Sequence, residues 1–171
     1  MAPTITIERG DITKAEVDAI VNAANPKMLG GGGVDGAIHR AAGPRLLEAC
    51  QRVRSVNGIR CPFGEARITP GFELPAAWVI HTVGPIYGRT PAPEAVLRAA
   101  YEASLRLASE RGLARVAFPA ISAGAYGFPL DAAARIAVDV ARGDWPGVTE
   151  VRFVLFTAET HAAFERALDD G

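Results

Sequence analysis

The sequence predicts an α/β fold, a three-layer α/β/α sandwich around a mixed, mostly parallel central sheet. Three observations predict it. Short apolar runs suited to strands alternate with longer segments of helical periodicity. Several of the runs, among them Val17–Asn22 and Val151–Phe156, are apolar at consecutive positions, the pattern of strands buried on both faces. Two glycine-rich segments, one running from Asn22 through Gly30–Gly33 and one from Pro119 through Gly127, follow expected strands directly. Ligands in such sheets bind outside the carboxyl ends of the strands, so both segments belong on one rim.

Taken in order, Thr4–Glu8 alternates isoleucine with polar residues and reads as a half-buried strand that Gly10-Asp11 breaks. Val17–Asn22 reads as an inner strand. After the glycine run, Val34, Ile38 and Ala41 or Ala42 recur at helical spacing. Gly43-Pro44 ends that helix and opens a second, with Pro44 near its first position and Leu46, Leu47 and Cys50 on its apolar face. Asn57–Gly64 reads as loop, Ala66–Pro70 and Trp78–Val83 as strands, and Gly84–Pro93 as a turn-rich link. Glu94–Arg111 is the strongest helical pattern, with Gly112 as its C-cap. Val116–Pro119 reads as a strand, Leu130–Arg142 as an alanine-rich helix, Val151–Phe156 as a strand and Glu159–Leu168 as a final helix.

The chain has 171 residues, about half of them apolar, which predicts one domain spanning residues 1–171 with a sizeable core. Its net charge of −1 shows no basic excess of the kind a general nucleic-acid binder carries. Cys50 and Cys61 form no CxxC and, with three scattered histidines, give no zinc spacing. Two thiols in a domain of this size need no disulfide, so a cytoplasmic location is expected. No apolar run reaches the roughly 18 residues of a membrane span, and the N-terminus lacks a signal-peptide pattern. No metal, no cofactor and no membrane association are expected, and the chain is expected to be monomeric.

Gly30–Gly33 leaves bare backbone N–H groups at a helix N-terminus, a site for a phosphate. The stretch Ser122-Ala-Gly-Ala-Tyr126-Gly127 offers a second row of donors and one hydroxyl. Two such loops on one rim suggest a clamp on a pyrophosphate. The first is not a P-loop, because no Gly-Lys-Ser/Thr follows. Gly31, Gly33 and Gly36 match G-x-G-x-x-G, which keeps a nicotinamide or other nucleotide enzyme open. The match lacks the tight strand–helix turn and a suitable acidic ribose ligand roughly 20 residues on.

Asp35 and His39 lie four apart on one helix face. Asp35 either orients or deprotonates a water beside a bound phosphate or simply complements the helix dipole. Asn22 and Asn25 either cap a turn or bind ribose hydroxyls. Asp11 is a turn residue or an acceptor for an exocyclic amine. Tyr126 and Phe128 bracket Gly127, with a ring over a sugar or both rings in the core. Phe156 stacks on a base or is buried. His81 reads as a satisfied core histidine. Ser122 has no G-x-S-x-G elbow and does not read as a nucleophile, and Lys27 reads as an exposed loop lysine.

From about Thr6 to Phe164 the chain resembles the macrodomains of the MacroD type. The resemblance rests on Gly10-Asp-Ile-Thr13, Val17 through Asn25, Gly30 through His39, Ala41-Ala-Gly-Pro44, Gly64 through Thr69, Val79-Ile-His-Thr-Val-Gly-Pro85 and Pro119 through Pro129. It implies the macrodomain fold and an ADP-ribosyl hydrolase. Such an enzyme removes mono-ADP-ribose from acidic residues of proteins and deacetylates O-acetyl-ADP-ribose. Some members act on ADP-ribosylated nucleic-acid ends. A non-catalytic ADP-ribose reader is the alternative. The resemblance implies a catalytic set of Asn25, Asp35 and His39. The implied ligand-binding set is Asp11, Ile12, Asn22, Gly32, Gly33, Val34, Ser122, Ala123, Gly124, Ala125, Tyr126, Gly127 and Phe156. Within it, Asp11 and the Ile12 amide would hold adenine, with Phe156 packed on the base. Gly32–Val34 and Ser122–Gly127 would wrap the pyrophosphate, and Asn25 and Tyr126 would meet the distal ribose. Lys27-Met28 and Phe63, after a longer loop, depart from the family pattern on the rim.

Overall fold

The computed structural model describes residues 1–171. Six strands, β1 (Thr4–Arg9), β2 (Ala19–Ala23), β3 (Ala66–Pro70), β4 (Trp78–Thr82), β5 (Arg115–Phe118) and β6 (Glu150–Leu155), form one sheet in the order β1-β6-β5-β2-β4-β3. All neighbours are parallel except β3, which runs antiparallel to β4 at one edge. The sheet is therefore mixed and mostly parallel, as the apolar runs predict. Five strands point the same way, and their carboxyl ends make one rim.

Five helices cover the sheet: α1 (Gly33–Ala42), α2 (Pro44–Gln51), α3 (Pro93–Glu110), α4 (Leu130–Ala141) and α5 (Ala158–Asp169). Alternation along the buried strands builds two cores. Ile20, Val79, Ala117 and Val154 face α1 and α2, meeting Ile38, Ala42, Leu46 and Cys50. Val21, Ile80, Val116, Phe118, Val151 and Phe153 face the other way, under α3, α4 and α5. This is the three-layer arrangement. Its larger core holds the rings of Tyr101, Phe118, Phe153 and Phe164, with successive centroids 5.3, 5.8 and 5.1 Å apart. No helix is long and apolar enough to cross a membrane.

Two local structures lie in stretches that read as breaks or loop. Asp11 caps a short 3₁₀ turn, Ile12–Lys14, by accepting from the Thr13 amide. Within Asn57–Gly64, the Asn57-Gly58 pair forms a tight hairpin tip. Both residues have positive φ, 53° and 80°, and Val56 and Ile59 exchange both backbone hydrogen bonds, 2.9 and 3.0 Å. These are the dihedral signs of a type I′ turn.

Candidate active site

The rim carries a cleft of about 330 Å³ bounded by both glycine segments. That volume falls within the range of small-molecule sites. The first segment leaves β2 at Ala23. Asn25 then staples the loop: its Oδ1 accepts from the Met28 amide (3.2 Å) and its Nδ2 donates to the Gly30 carbonyl (3.1 Å). Met28, fully buried, anchors the loop from below. Gly33 takes a φ of 59°, the left-handed region that favours glycine, at the first position of α1. The Gly33, Val34 and Asp35 amides precede the helical ladder, donate to no protein acceptor and lie at the positive end of the helix.

The second segment leaves β5 at Phe118. The buried Tyr101 hydroxyl holds its start, accepting from the Ile121 amide at 3.2 Å. Ser122 Oγ donates to the Pro85 carbonyl at 2.8 Å, so the hydroxyl braces the loop rather than waiting as a nucleophile. The Phe128 amide donates to Ser122 O and the Gly127 amide to Gly124 O. The amides of Ser122 through Tyr126 have no protein acceptor. The two aromatic rings part company. Phe128 is core, edge-on to Tyr87 at 5.1 Å, whereas Tyr126 lines the cleft. Burial, and then the charge of Asp35, hold the Tyr126 phenol above its ordinary pKa.

Asp35 is the only charged side chain lining the cleft. It is 5% exposed. Its Oδ1 accepts from Asn22 Nδ2 at 2.8 Å and lies 3.4 Å from His39 Nε2. Its Oδ2 is buried with no hydrogen-bond partner. A carboxylate that only complements a helix dipole sits in solvent. This one is enclosed, oriented by two neighbours and left with one oxygen uncommitted.

The structure thus brings Asn25, Asp35, Gly32, Gly33, Val34, Ser122, Gly124, Ala125 and Tyr126 to one cleft. His39 stands behind Asp35. Ala123 and Gly127 belong to the second segment without lining the cleft. Asp11, Ile12 and Phe156 lie outside it, just past the ends of β1 and β6, which pair with Arg9 opposite Leu155. Asp11 is engaged by the Thr13 hydroxyl (2.7 Å) and amide (3.0 Å), which hold its carboxyl below the usual range. Phe156 is 84% exposed, not core. Asn22 is placed differently from the sequence expectation: it is wholly buried, and its amide turns to Asp35, not outward to a ligand.

The macro domain model matches residues 21–137 of the chain. The chain belongs to the macro domain family. This macrodomain is 54% identical to a macro domain-containing protein of Vibrio parahaemolyticus, over 96% of each chain. It is 53% identical to the O-acetyl-ADP-ribose deacetylase of Enterobacter cloacae, over 98% of this chain and 95% of that one. Among solved structures it is similar to the Oceanobacillus iheyensis macrodomain with ADP, at 43% identity and a TM-score of 0.91 over 99% of this chain and 95% of that one. The Trypanosoma brucei macrodomain in complex with ADP-ribose is 41% identical, with a TM-score of 0.86 over 96% of this chain and 68% of that one.

Sequence reasoning missed what lies behind Asp35 in this macrodomain. Asn22 on β2 faces His81 on β4 across the register. Asn22 Nδ2 also reaches His81 Nδ1, 3.2 Å away, and His81 Nε2 lies 2.9 Å from Thr69 Oγ1. An amide nitrogen only donates, so Nδ1 must accept and the ring proton sits on Nε2, donating to Thr69. His81 is a satisfied core histidine, and through Asn22 it fixes the direction of the amide that holds Asp35. Both cysteines are free and flank this histidine, and burial pushes each thiol up to about 11. No group of three or more His, Cys, Asp or Glu is placed to hold a metal ion.

Burial, then the charge of His39, push the His81 imidazole down to about 3. The unfolded chain takes up a proton there near pH 6.5, the folded chain only near pH 3. Acid therefore favours unfolding through this window. The thermal midpoint should fall as pH drops from 6.5 to about 5, above the ordinary carboxylate range. His81→Gln should flatten that slope, and an unchanged slope would show that another group is responsible.

Proposed function

We propose that this macrodomain binds ADP-ribose along the rim and hydrolyses an ester on its distal ribose. The substrates are mono-ADP-ribosylated aspartate or glutamate side chains and O-acetyl-ADP-ribose. The observation that carries the reading is Asp35, the one charge in the cleft, buried and oriented with one oxygen free. A pyrophosphate beside it is stabilised by the amides of Gly33, Val34 and Ser122–Tyr126, which bring no countercharge. A binder alone gains nothing from a carboxylate set next to its own anionic ligand.

In this reading Asp11 accepts from the adenine amine beside the Ile12 amide, and Phe156 offers its exposed ring to the base. Asn25 and Tyr126 hold the distal ribose. Asp35 orients a water and accepts a proton from it as the water attacks the ester carbon. The ester bond then breaks, releasing the acyl group as a carboxylic acid, and the departing ribose oxygen takes the proton back from Asp35 to become the hydroxyl. Fixed geometry and the aligned amides supply most of the rate. The relationship to the Enterobacter cloacae O-acetyl-ADP-ribose deacetylase supports the same class of bond.

The test is a release assay with wild-type protein on O-acetyl-ADP-ribose, an ADP-ribosylated glutamate peptide, an ADP-ribosylated serine peptide and an ADP-ribosylated DNA end. Release from the two esters and none from the serine O-glycoside is the expected result. ADP-ribose binding with no release from any of the four would make the protein a reader. Release from the DNA end would add a second acceptor class.

A further inference from the structure

A second groove, of about 730 Å³, adjoins the site. Its wall begins at Pro26, the residue after Asn25. The Pro26 carbonyl accepts from the Arg60 and Cys61 amides at 2.8 and 3.1 Å, so the groove and the Asn25 loop are one connected piece of backbone. The opposite wall is the Asn57-Gly58 hairpin tip, which presents Val56 and Ile59 to solvent at 57% and 41% exposure. In a hydrogen-bonded antiparallel pair the two side chains stand on one face. A rigid tip that displays two aliphatic side chains to water, with Phe63 39% exposed nearby, adds nothing to the core.

The charge of this surface opposes that of the chain. Residues 49–64 hold three arginines and no acidic residue, whereas the chain as a whole is at −1. Arg54 and Arg60 line the groove with no carboxylate partner, and Arg67 beside them is paired only with Glu65. Guanidinium groups on an aliphatic floor suit carboxylates interspersed with apolar side chains. A nucleic-acid strand would instead call for a series of aromatic platforms, and only Phe63 is present.

We propose that this groove docks the acidic, partly apolar polypeptide that carries the ADP-ribosyl group, seating the chain next to the modified side chain. The inference rests on the hydrolase reading above and names the acceptor that reading leaves open. The groove starts one residue from Asn25, so a peptide can enter it where the distal ribose ends, while O-acetyl-ADP-ribose is too small to reach it.

The variant Arg54→Glu/Val56→Asp changes two groove side chains that take no part in the cleft. Turnover of an ADP-ribosylated glutamate peptide with acidic flanks should lose about tenfold in kcat/KM, with O-acetyl-ADP-ribose within about twofold of wild type. Added salt should shrink the wild-type advantage on the peptide. Equal loss on both substrates, or no loss on the peptide, overturns the proposal. So does a loss confined to an ADP-ribosylated DNA end. Should the wild type release nothing, binding decides instead. A modified peptide that binds more tightly than free ADP-ribose, with the advantage lost in the variant, supports the groove, and equal wild-type affinities overturn it.

Discussion

Asp35→Ala is expected to bind ADP-ribose about as well as wild type while losing about 10²–10⁴-fold in turnover of its esters, the usual contribution of a positioned general base. The separation follows from geometry. In the proposed binding mode the pyrophosphate is held by backbone amides that the substitution leaves in place. What disappears is the one oriented carboxylate in the cleft. The change also takes an acceptor from the buried Asn22 amide, which costs about 1–3 kcal/mol of stability. A melting curve should therefore accompany the kinetics. Titration with ADP-ribose and single-turnover release from an ADP-ribosylated glutamate peptide check the result. Wild-type turnover in the variant would show that Asp35 does not act on the water.

Gly84→Ala should weaken ADP-ribose binding about 10- to 100-fold, with less effect on the melting temperature than on affinity. Gly84 follows β4 and lines the cleft. A methyl there would overlap Ser122 Oγ and come within 2.5 Å of Ile121 Cγ2. Overpacking of this kind costs about 1–3 kcal/mol, which converts to that range of affinity if the second glycine segment yields instead of the sheet. The segment is the weaker partner, since outside its two internal backbone bonds it is fixed by hydrogen bonds to Tyr101, Pro85 and Tyr87, with no strand ladder. Calorimetric titration reads the effect. An unchanged Kd would mean that the Ser122–Tyr126 amides do not hold the ligand.

The architecture was legible because periodicity and burial coincide in this chain. Val17–Asn22 and Val151–Phe156 are mostly apolar and occupy inner parts of the sheet, and the Glu94–Arg111 pattern is realised as Pro93–Glu110. Both glycine segments were legible as neighbours because a parallel sheet puts every strand's carboxyl end on one side. Asn22 was not. Whether a polar residue at a strand end faces ligand or core depends on which strand lies beside it and in what register, and the pairing of Asn22 with His81 spans 59 residues. The same limit hid the split between Tyr126 and Phe128. The hairpin tip was open to reading, because Asn-Gly is a strong turn signal. Its flanks, Val56 and Ile59, are too short to announce strands.

The polar chain from Thr69 through His81 and Asn22 ends on Asp35, so the carboxylate is moored to the middle of the sheet and not to the loops that touch the ligand. On the proposed reading, recognition and reactivity then rest on separate parts of the molecule, and insertions or substitutions along the rim would change which leaving group is admitted without redirecting the Asp35 oxygen. Drift in substrate choice within such a scaffold would therefore be cheap, whereas drift at positions 22, 69 or 81, all of them buried, would silence the proposed chemistry from within.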